Sequence, residues 1–245
     1  MSAAPIVRRF PLNTVGRDFA VGDIHGHFTL LQEALAAIDF DPARDRLFAV
    51  GDLVDRGPEC EQVLAWLGMP WFASVRGNHD DYVCRYDSCQ VGNWLVNGGL
   101  WFQGLLPAEK AEYATWFRDL PIAIQVETPG GPVGLVHADC PGGSWPEMLD
   151  ALEALEGGAL RDLRNACMWS RKRHESRDQS VIEGVRVVVV GHTPLDAPEK
   201  LGNVIHIDTA GWCPQAGGYF TLLDLHTLQA VCVRDVAADE QEVPA

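Results

Sequence analysis

Apolar positions along the chain follow two periods. Phe19-Ala20-Val21, Leu47-Phe48-Ala49-Val50 and Trp71-Phe72-Ala73-Ser74-Val75 are short apolar runs, each followed by a glycine within two residues, and they read as strands. Between the first two, Leu30, Leu31, Ala34, Leu35 and Ile38 fall on one face at helical spacing. Between the second and third, Pro58 stands where a first-turn proline belongs, and Val63, Leu64 and Leu67 make the next stripe. Strand, turn and helix repeated in this way predict a parallel or mixed sheet with right-handed crossovers.

Beyond Asp80 the pattern loosens. Over 80–104 the periodicity is poor, and Trp94, Trp101 and Phe102 flank Asn97-Gly98-Gly99, as aromatics packed beneath a loop do. A helix is expected over 107–120, and a hairpin from 122–126 and 133–136 around Thr128-Pro129-Gly130-Gly131-Pro132. Ser144-Trp145-Pro146-Glu147 has the form of a capping box and predicts a helix to about residue 155. The polar stretch 172–179 reads as a surface loop at a site rim. The β-branched run 185–190 reads as a strand buried on both faces. The segments 204–207, 219–225 and 228–234 alternate like antiparallel strands. Residues 1–16 read as an irregular lead-in, 17–235 as one domain, and the acidic 236–245 as a disordered tail.

Composition narrows the class. A chain of 245 residues, 47% apolar and 22% charged, suits one soluble α/β domain. Its formal net charge of −15 argues against nucleic acid or an anionic membrane as partner. Any phosphate site must therefore draw positive charge locally, from metals and arginines. No apolar run approaches the ~18 residues of a membrane span, and Met1 to Arg9 lacks the apolar centre of a signal peptide. Seven scattered cysteines without a Cys-x-x-Cys pair read as reduced thiols, Cys84 and Cys89 included, and predict a cytoplasmic protein.

The candidate chemistry lies where the strands end. Gly22-Asp23-Ile24-His25-Gly26, Gly51-Asp52-Leu53-Val54-Asp55-Arg56-Gly57 and Gly77-Asn78-His79-Asp80 follow the first three strands, and His137-Ala138-Asp139 and Gly191-His192-Thr193-Pro194 follow two later ones. Open α/β sheets hold their ligands at the carboxyl ends of strands. Asp, Asn and His suit divalent first-row ions, and no thiolate lies in these turns. Asp23, His25, Asp52, Asn78, His137 and His192 are too many ligands for one zinc. They fit two ions sharing a carboxylate, an arrangement that activates water and clamps both oxygens of an in-line displacement. Phosphoester hydrolysis is the reaction class that needs it. Arg56 is placed to hold phosphate oxygens bidentately. His79 is the candidate general acid and Asp55 the carboxylate that orients it. His27, His174, His206 and His226 have no motif around them and read as structural or solvated.

These motifs, about 25 residues apart, resemble the signature of the phosphoprotein-phosphatase type of metallophosphoesterase. The resemblance extends to Asn93-Trp94-Leu95, Asn97-Gly98-Gly99, Trp169-x-Arg171 and Ile207-Asp208-Thr209. It spans about residues 17 to 225 and is nearest in form to the branch that includes the bacteriophage lambda protein phosphatase and its bacterial serine/threonine relatives. It implies an α/β fold, a calcineurin-like β-sandwich of two mixed sheets flanked by helices. It also implies Asp23, His25 and Asp52 on a first ion and Asp52, Asn78, His137 and His192 on a second, with Asp52 bridging. His79 and Asp55 would be the acid pair, and Arg56 and Arg171 the phosphate clamp. The implied ions are manganese, with iron, zinc, nickel or cobalt as substitutes, and the implied partner is a phosphorylated protein or peptide carrying phosphoserine, phosphothreonine or phosphotyrosine.

Two departures bear on substrate. Asp80 stands where protein phosphatases commonly carry Glu, and Gly-Asn-His-Asp is also what dinucleoside tetraphosphate hydrolases show. Asp208-Thr209-Ala210-Gly211 permutes the usual Asp-Thr-Gly. Neither position is a proposed ligand. The dinucleotide hydrolases, the main alternative, typically carry Ala where this chain has Asp55. A non-catalytic metal-holding module, the remote alternative, would lack a ligand or the acid, and none is missing.

Overall fold

The computed structural model describes residues 4–233. In chain order its elements are β1 (Val7–Phe10), β2 (Asp18–Val21), α1 (Phe28–Ala37), β3 (Arg46–Ala49), α2 (Val63–Leu67), β4 (Phe72–Ser74), α3 (Asn78–Cys84), α4 (Val91–Val96), α5 (Leu100–Gln103) and α6 (Pro107–Arg118). There follow β5 (Ala123–Val126), β6 (Val133–Leu135), α7 (Trp145–Ala154), α8 (Gly157–Trp169), α9 (Lys172–Ser176), β7 (Val187–Val190), β8 (Glu199–Leu201), β9 (Val204–His206), β10 (Phe220–Asp224) and β11 (Ala230–Val233). They build two mixed sheets, ordered β1-β5-β6-β7-β9-β8 and β11-β10-β2-β3-β4.

The two sheets pack face to face, which is why their strands are almost continuously apolar. Ala20, Phe48, Val50 and Ala73 point inward against Ile124, Leu135, Val187, Val189 and Ile205 of the other sheet. Their neighbours Phe19, Val21, Leu47 and Ala49 point outward under Phe28 and Leu31 of α1 and Val63 and Trp66 of α2. On the far side, Val188, Val190 and Val204 lie under Trp145, Met148 and Leu149 of α7 and Cys167 of α8. With period-two alternation and both faces covered, each strand residue meets a core. The α/β sandwich flanked by helices is the architecture the sequence predicts. Strands β2, β3 and β4 are parallel in adjacent register, as the βαβ pattern requires.

Several segments differ from expectation. The lead-in contains β1, paired in parallel with β5 from Val7↔Ala123 to Phe10↔Val126; at four residues, with Arg8 and Arg9 outward, it carries too little periodicity to read. The loose segment after Asp80 folds as three short helices, α3 to α5. Around them Trp94 and Phe102 are fully buried, as packing aromatics. Helix α7 starts at Trp145 as expected, but Ser144 makes no side-chain cap. The stretch 172–179 is not all loop: α9 occupies its first half, and Arg173 is buried with its Nη1 donating to the carbonyls of Asp178 and Ser180. In the last third, β9 lies parallel to β7 and antiparallel to β8, while β10 is antiparallel to both β11 and β2. The tail 236–245 lies outside the described residues. All seven cysteines are free thiols, and among the described residues no helix is long and apolar enough to cross a membrane.

Candidate active site

The carboxyl ends of β2, β3 and β4 in one sheet and of β6 and β7 in the other open onto one edge of the sandwich. Asp23 and His25 follow β2, Asp52 follows β3, Asn78 and His79 open α3 after β4, His137 follows β6, and His192 follows β7. All seven are buried. The turns that aim them are tight: His25, Asp52, Asp55, Arg56 and His192 all have φ between 45° and 72°, a left-handed backbone that non-glycine residues adopt at a cost. Five such residues in one place are a concentration typical of functional sites. Gly77 is a glycine for contact reasons, since a Cβ there would collide with the backbone nitrogen and carboxylate of Asp52. Asp80 locks the same turn, its carboxylate accepting the backbone N–H groups of Asp52 (2.9 Å), Leu53 (2.9 Å) and Gly77 (2.8 Å).

The donor atoms fall into two groups that share Asp52. His25, Asp52 and His79 each offer an atom within 4.8 Å of the others, and so do Asp52, His137 and His192. Asp23 joins the first group at 4.0 Å from His25 Nε2, and Asn78 joins the second with its Oδ1 2.8 Å from His137 Nε2. The Nδ1 atoms of His25 and His137 are 2.8 Å from the carbonyls of Val54 and Val50. Those bonds fix each ring and turn Nε2 toward the shared carboxylate, the orientation a ligating imidazole takes.

The electrostatics fit cations. Burial, then the charge of Asp208, pushes Asp23 well above the usual carboxylate range. Burial, then the neighbouring His79, holds His25 well below the ordinary imidazole value. Burial and the charge of His137 push His192 down to about 3, and its buried Nε2 has no partner among the described residues. His137 is the exception: burial disfavours its charge, but Asp52, 3.4 Å away, outweighs burial and raises it to about 10. Asp52 Oδ2, Asn78 Oδ1 and His137 Nε2 converge, and these residues would hold a divalent ion, whose binding competes with protonation of the imidazole. A buried aspartate cluster with lone pairs facing inward and an unpartnered imidazole suits two hard or borderline cations.

Beside these groups, His79 Nδ1 sits 2.7 Å from Asp55 Oδ2. Asp55 also accepts from Trp94 Nε1 at Oδ2 (2.8 Å) and from Trp101 Nε1 at Oδ1 (2.7 Å). Arg56 reaches His25 Nε2 at 2.8 Å and His79 Nε2 at 3.3 Å, and its guanidinium lies 4.2 Å above the ring of Trp212. Arg171 stands at the rim, exposed, with Nη2 3.4 Å from the His192 carbonyl. Asp139 points away from the centre, toward Ser170 and Arg173.

Comparison with known proteins places this geometry. The model of the calcineurin-like phosphoesterases matches residues 19–202, most of the chain. The chain belongs to that family. It is therefore a metallophosphoesterase, a hydrolase of phosphoesters whose family works with divalent metal ions. It is 33% identical over 211 residues to serine/threonine-protein phosphatase 2 of Salmonella typhimurium, covering 83% of this chain and 92% of that protein. It is also 35% identical over 125 residues to the symmetrical bis(5'-nucleosyl)-tetraphosphatase of Methylococcus capsulatus, covering 50% of this chain and 43% of that protein. A protein serine/threonine phosphatase from Saccharomyces cerevisiae shares the fold, with a TM-score of 0.66 at 16% identity over 98% of this chain and 86% of that one.

Several residues around the site of this metallophosphoesterase were not legible as part of it. Trp94 and Trp101 read as packing, and they do pack, but their N–H groups also end on Asp55. Trp212 follows β9 without any patterned signal, and the buried Asp208 belongs to the Ile207-Asp208-Thr209 motif but carries no predicted role. Asp80 was set apart from the ligands, yet it holds the Asp52 turn through three backbone bonds. The remaining histidines behave as structural groups: His27 bonds the His25 carbonyl, His226 Nε2 lies 3.3 Å from Asp18, and His206 is buried against His174.

Proposed function

We propose that this metallophosphoesterase is a cytoplasmic phosphoprotein phosphatase that hydrolyses phosphoserine and phosphothreonine, and phosphotyrosine as a further substrate, with two manganese ions. Asp23, His25 and Asp52 would hold one ion and Asp52, Asn78, His137 and His192 the other. When bound, the ions supply Lewis-acid polarisation of the phosphoryl oxygens and lower the pKa of water. The chain does the rest. Arg56, stiffened by Trp212, and Arg171 at the rim bind phosphoryl oxygens. His79 carries a proton at Nε2 and gives it to the departing alcohol oxygen, while Asp55 at Nδ1 fixes the ring and stabilises the imidazolium.

The observation that carries this reading is the Asp55–His79 bond with its two tryptophan N–H donors. A serine alkoxide is a poor leaving group and needs a positioned acid, whereas a nucleotide phosphate leaves without one. The extent of similarity to the bacterial serine/threonine phosphatase, over 83% of this chain and 92% of that one, supports the same choice. A dinucleoside tetraphosphatase is the second reading, favoured by Asp80 and by the similarity to such enzymes over 50% to 72% of this chain. Hydrolysis of a phosphoserine peptide and of diadenosine tetraphosphate, side by side with manganese-loaded protein, tests it. A higher kcat/KM for the peptide is expected, and a preference for the dinucleotide would overturn the substrate assignment.

A further inference from the structure

Helix α8 presents an unusual face to α3. Positions 157, 160, 161, 164, 165 and 168 fall on one stripe at i, i+3, i+4 spacing, where a packed helix would carry apolar residues. Here the stripe carries Arg161, Arg164 and Asn165 beside Leu160 and Met168. The helices leave between them a cavity of about 360 Å³, closed on the α3 side by Asp81 and Arg85.

The charge in this cavity is unbalanced. Asp81 is the one carboxylate in its lining, and Arg85 (2.6 Å) and Arg76 (3.7 Å, from behind) already share it. Among the described residues Arg161 pairs only with the exposed Asp162, 3.7 Å away. Arg164 makes no ion pair or hydrogen bond among the described residues, and its Nε is buried without a partner. Burial, then the charge of Arg76, pulls the Arg164 guanidinium below its ordinary value. In a protein of net charge −15, a half-buried guanidinium with unspent donors beside an open cavity is costly unless an anion completes it.

The C-terminal end of α8 runs from the cavity toward the active site. The ring of His79 is 6.1 Å from that of Tyr82, which is 5.8 Å from that of Trp169, and Met168 next to Trp169 lines the cavity. Trp169, partly exposed, also lies against His192. From Trp169 back to Arg164 is a further five residues of α8, ~7.5 Å at ~1.5 Å each, so the whole span corresponds to about six residues of extended chain at ~3.3 Å each. We propose that the cavity between α3 and α8 is an anion subsite that holds a second phosphoryl group or a carboxylate of a peptide whose scissile phosphate sits in the active site. Arg164 and Arg161 donate to the anion, Asn165 supplies a neutral donor, and Leu160 and Met168 keep the site partly dry. The subsite rests on the phosphoprotein-phosphatase reading and makes it more specific: the substrates are peptides with an acidic or second phosphorylated residue about six positions from the phosphate removed.

The test uses phosphoserine peptides that carry alanine, glutamate or a non-hydrolysable phosphonate about six residues away, with the intact protein and with Arg164→Gln. An anionic flank should lower KM about 10-fold at unchanged kcat, with the phosphonate stronger than glutamate if the subsite is built for phosphoryl groups. Arg164→Gln should erase the difference while leaving p-nitrophenyl phosphate hydrolysis unchanged. Equal KM values across the flanks, or a preference that survives Arg164→Gln, would overturn the subsite while leaving the phosphatase reading in place. Turnover of diadenosine tetraphosphate but of no peptide would overturn the phosphatase reading, and the peptide subsite with it. The Nε–Hε resonance of Arg164, followed with inorganic phosphate, then shows separately whether the cavity takes anions: a saturable shift supports that, and a fixed resonance removes it.

Discussion

Asp55 Oδ2 lies 2.7 Å from His79 Nδ1, and both groups are buried. The carboxylate cannot rotate away, because Trp94 and Trp101 hold its two oxygens from the far side. That leaves His79 Nε2 facing the shared Asp52 at 3.9 Å, the direction from which a substrate must come.

His79→Asn should therefore lower turnover of a phosphoserine peptide by about 10²–10⁴. The loss should be far smaller on p-nitrophenyl phosphate, whose leaving group needs little protonation. The comparison of kcat on the two esters checks the assignment, and equal losses would speak against His79 as the acid.

Trp101→Phe removes one donor from a buried carboxylate and leaves the ring packing largely intact. A buried acceptor that loses a partner costs about 1–3 kcal/mol, so the midpoint of urea unfolding should fall. Activity on alkyl phosphates should fall with it, since Asp55 gains freedom to turn. Unchanged kcat and unchanged stability together would show that the indole N–H contributes nothing.

Asp80→Asn tests the turn rather than the chemistry. The amide offers one acceptor where three backbone N–H groups now converge, and its NH₂ would face donors. A loss of about 2 kcal/mol or more in stability, together with weaker metal retention through a loosened Asp52, is expected. Dialysis followed by metal analysis reads the second effect. Full metal content in a destabilised variant would confine Asp80 to the fold.

The sequence displayed the centre of the molecule better than its surroundings, for a physical reason. Asp23, Asp52 and His192 stand at strand ends marked by glycine, and strands buried on both faces advertise themselves as apolar runs. Those two signals are local. The Asp55–Trp101 bond joins residues 46 positions apart, and no period or turn preference encodes such a contact. Likewise β1 acquires its partner only when β5 arrives.

The last prediction concerns metal removal and pH. In the metal-free protein His137 holds its proton up to about pH 10 because of Asp52, whereas in the unfolded chain an imidazole releases it near 6.5. A folded-state value above the unfolded one gives stability that is fully present below about pH 6.5 and is lost as pH rises through 10. Asp23, also raised, acts in the same direction. His192, lowered to about 3, has the opposite sign, and its contribution is lost only as pH falls below about 6.5. Between about pH 7 and 10 the chelator-treated protein should therefore lose thermal stability steadily. The metal-loaded protein should not, because an ion takes the place of the His137 proton and its hold strengthens as pH rises. Calorimetric Tm values measured with and without chelator across that range decide the matter. A metal-free Tm that stays flat or climbs would mean that the Asp52–His137 pair does not bear the charge assigned to it.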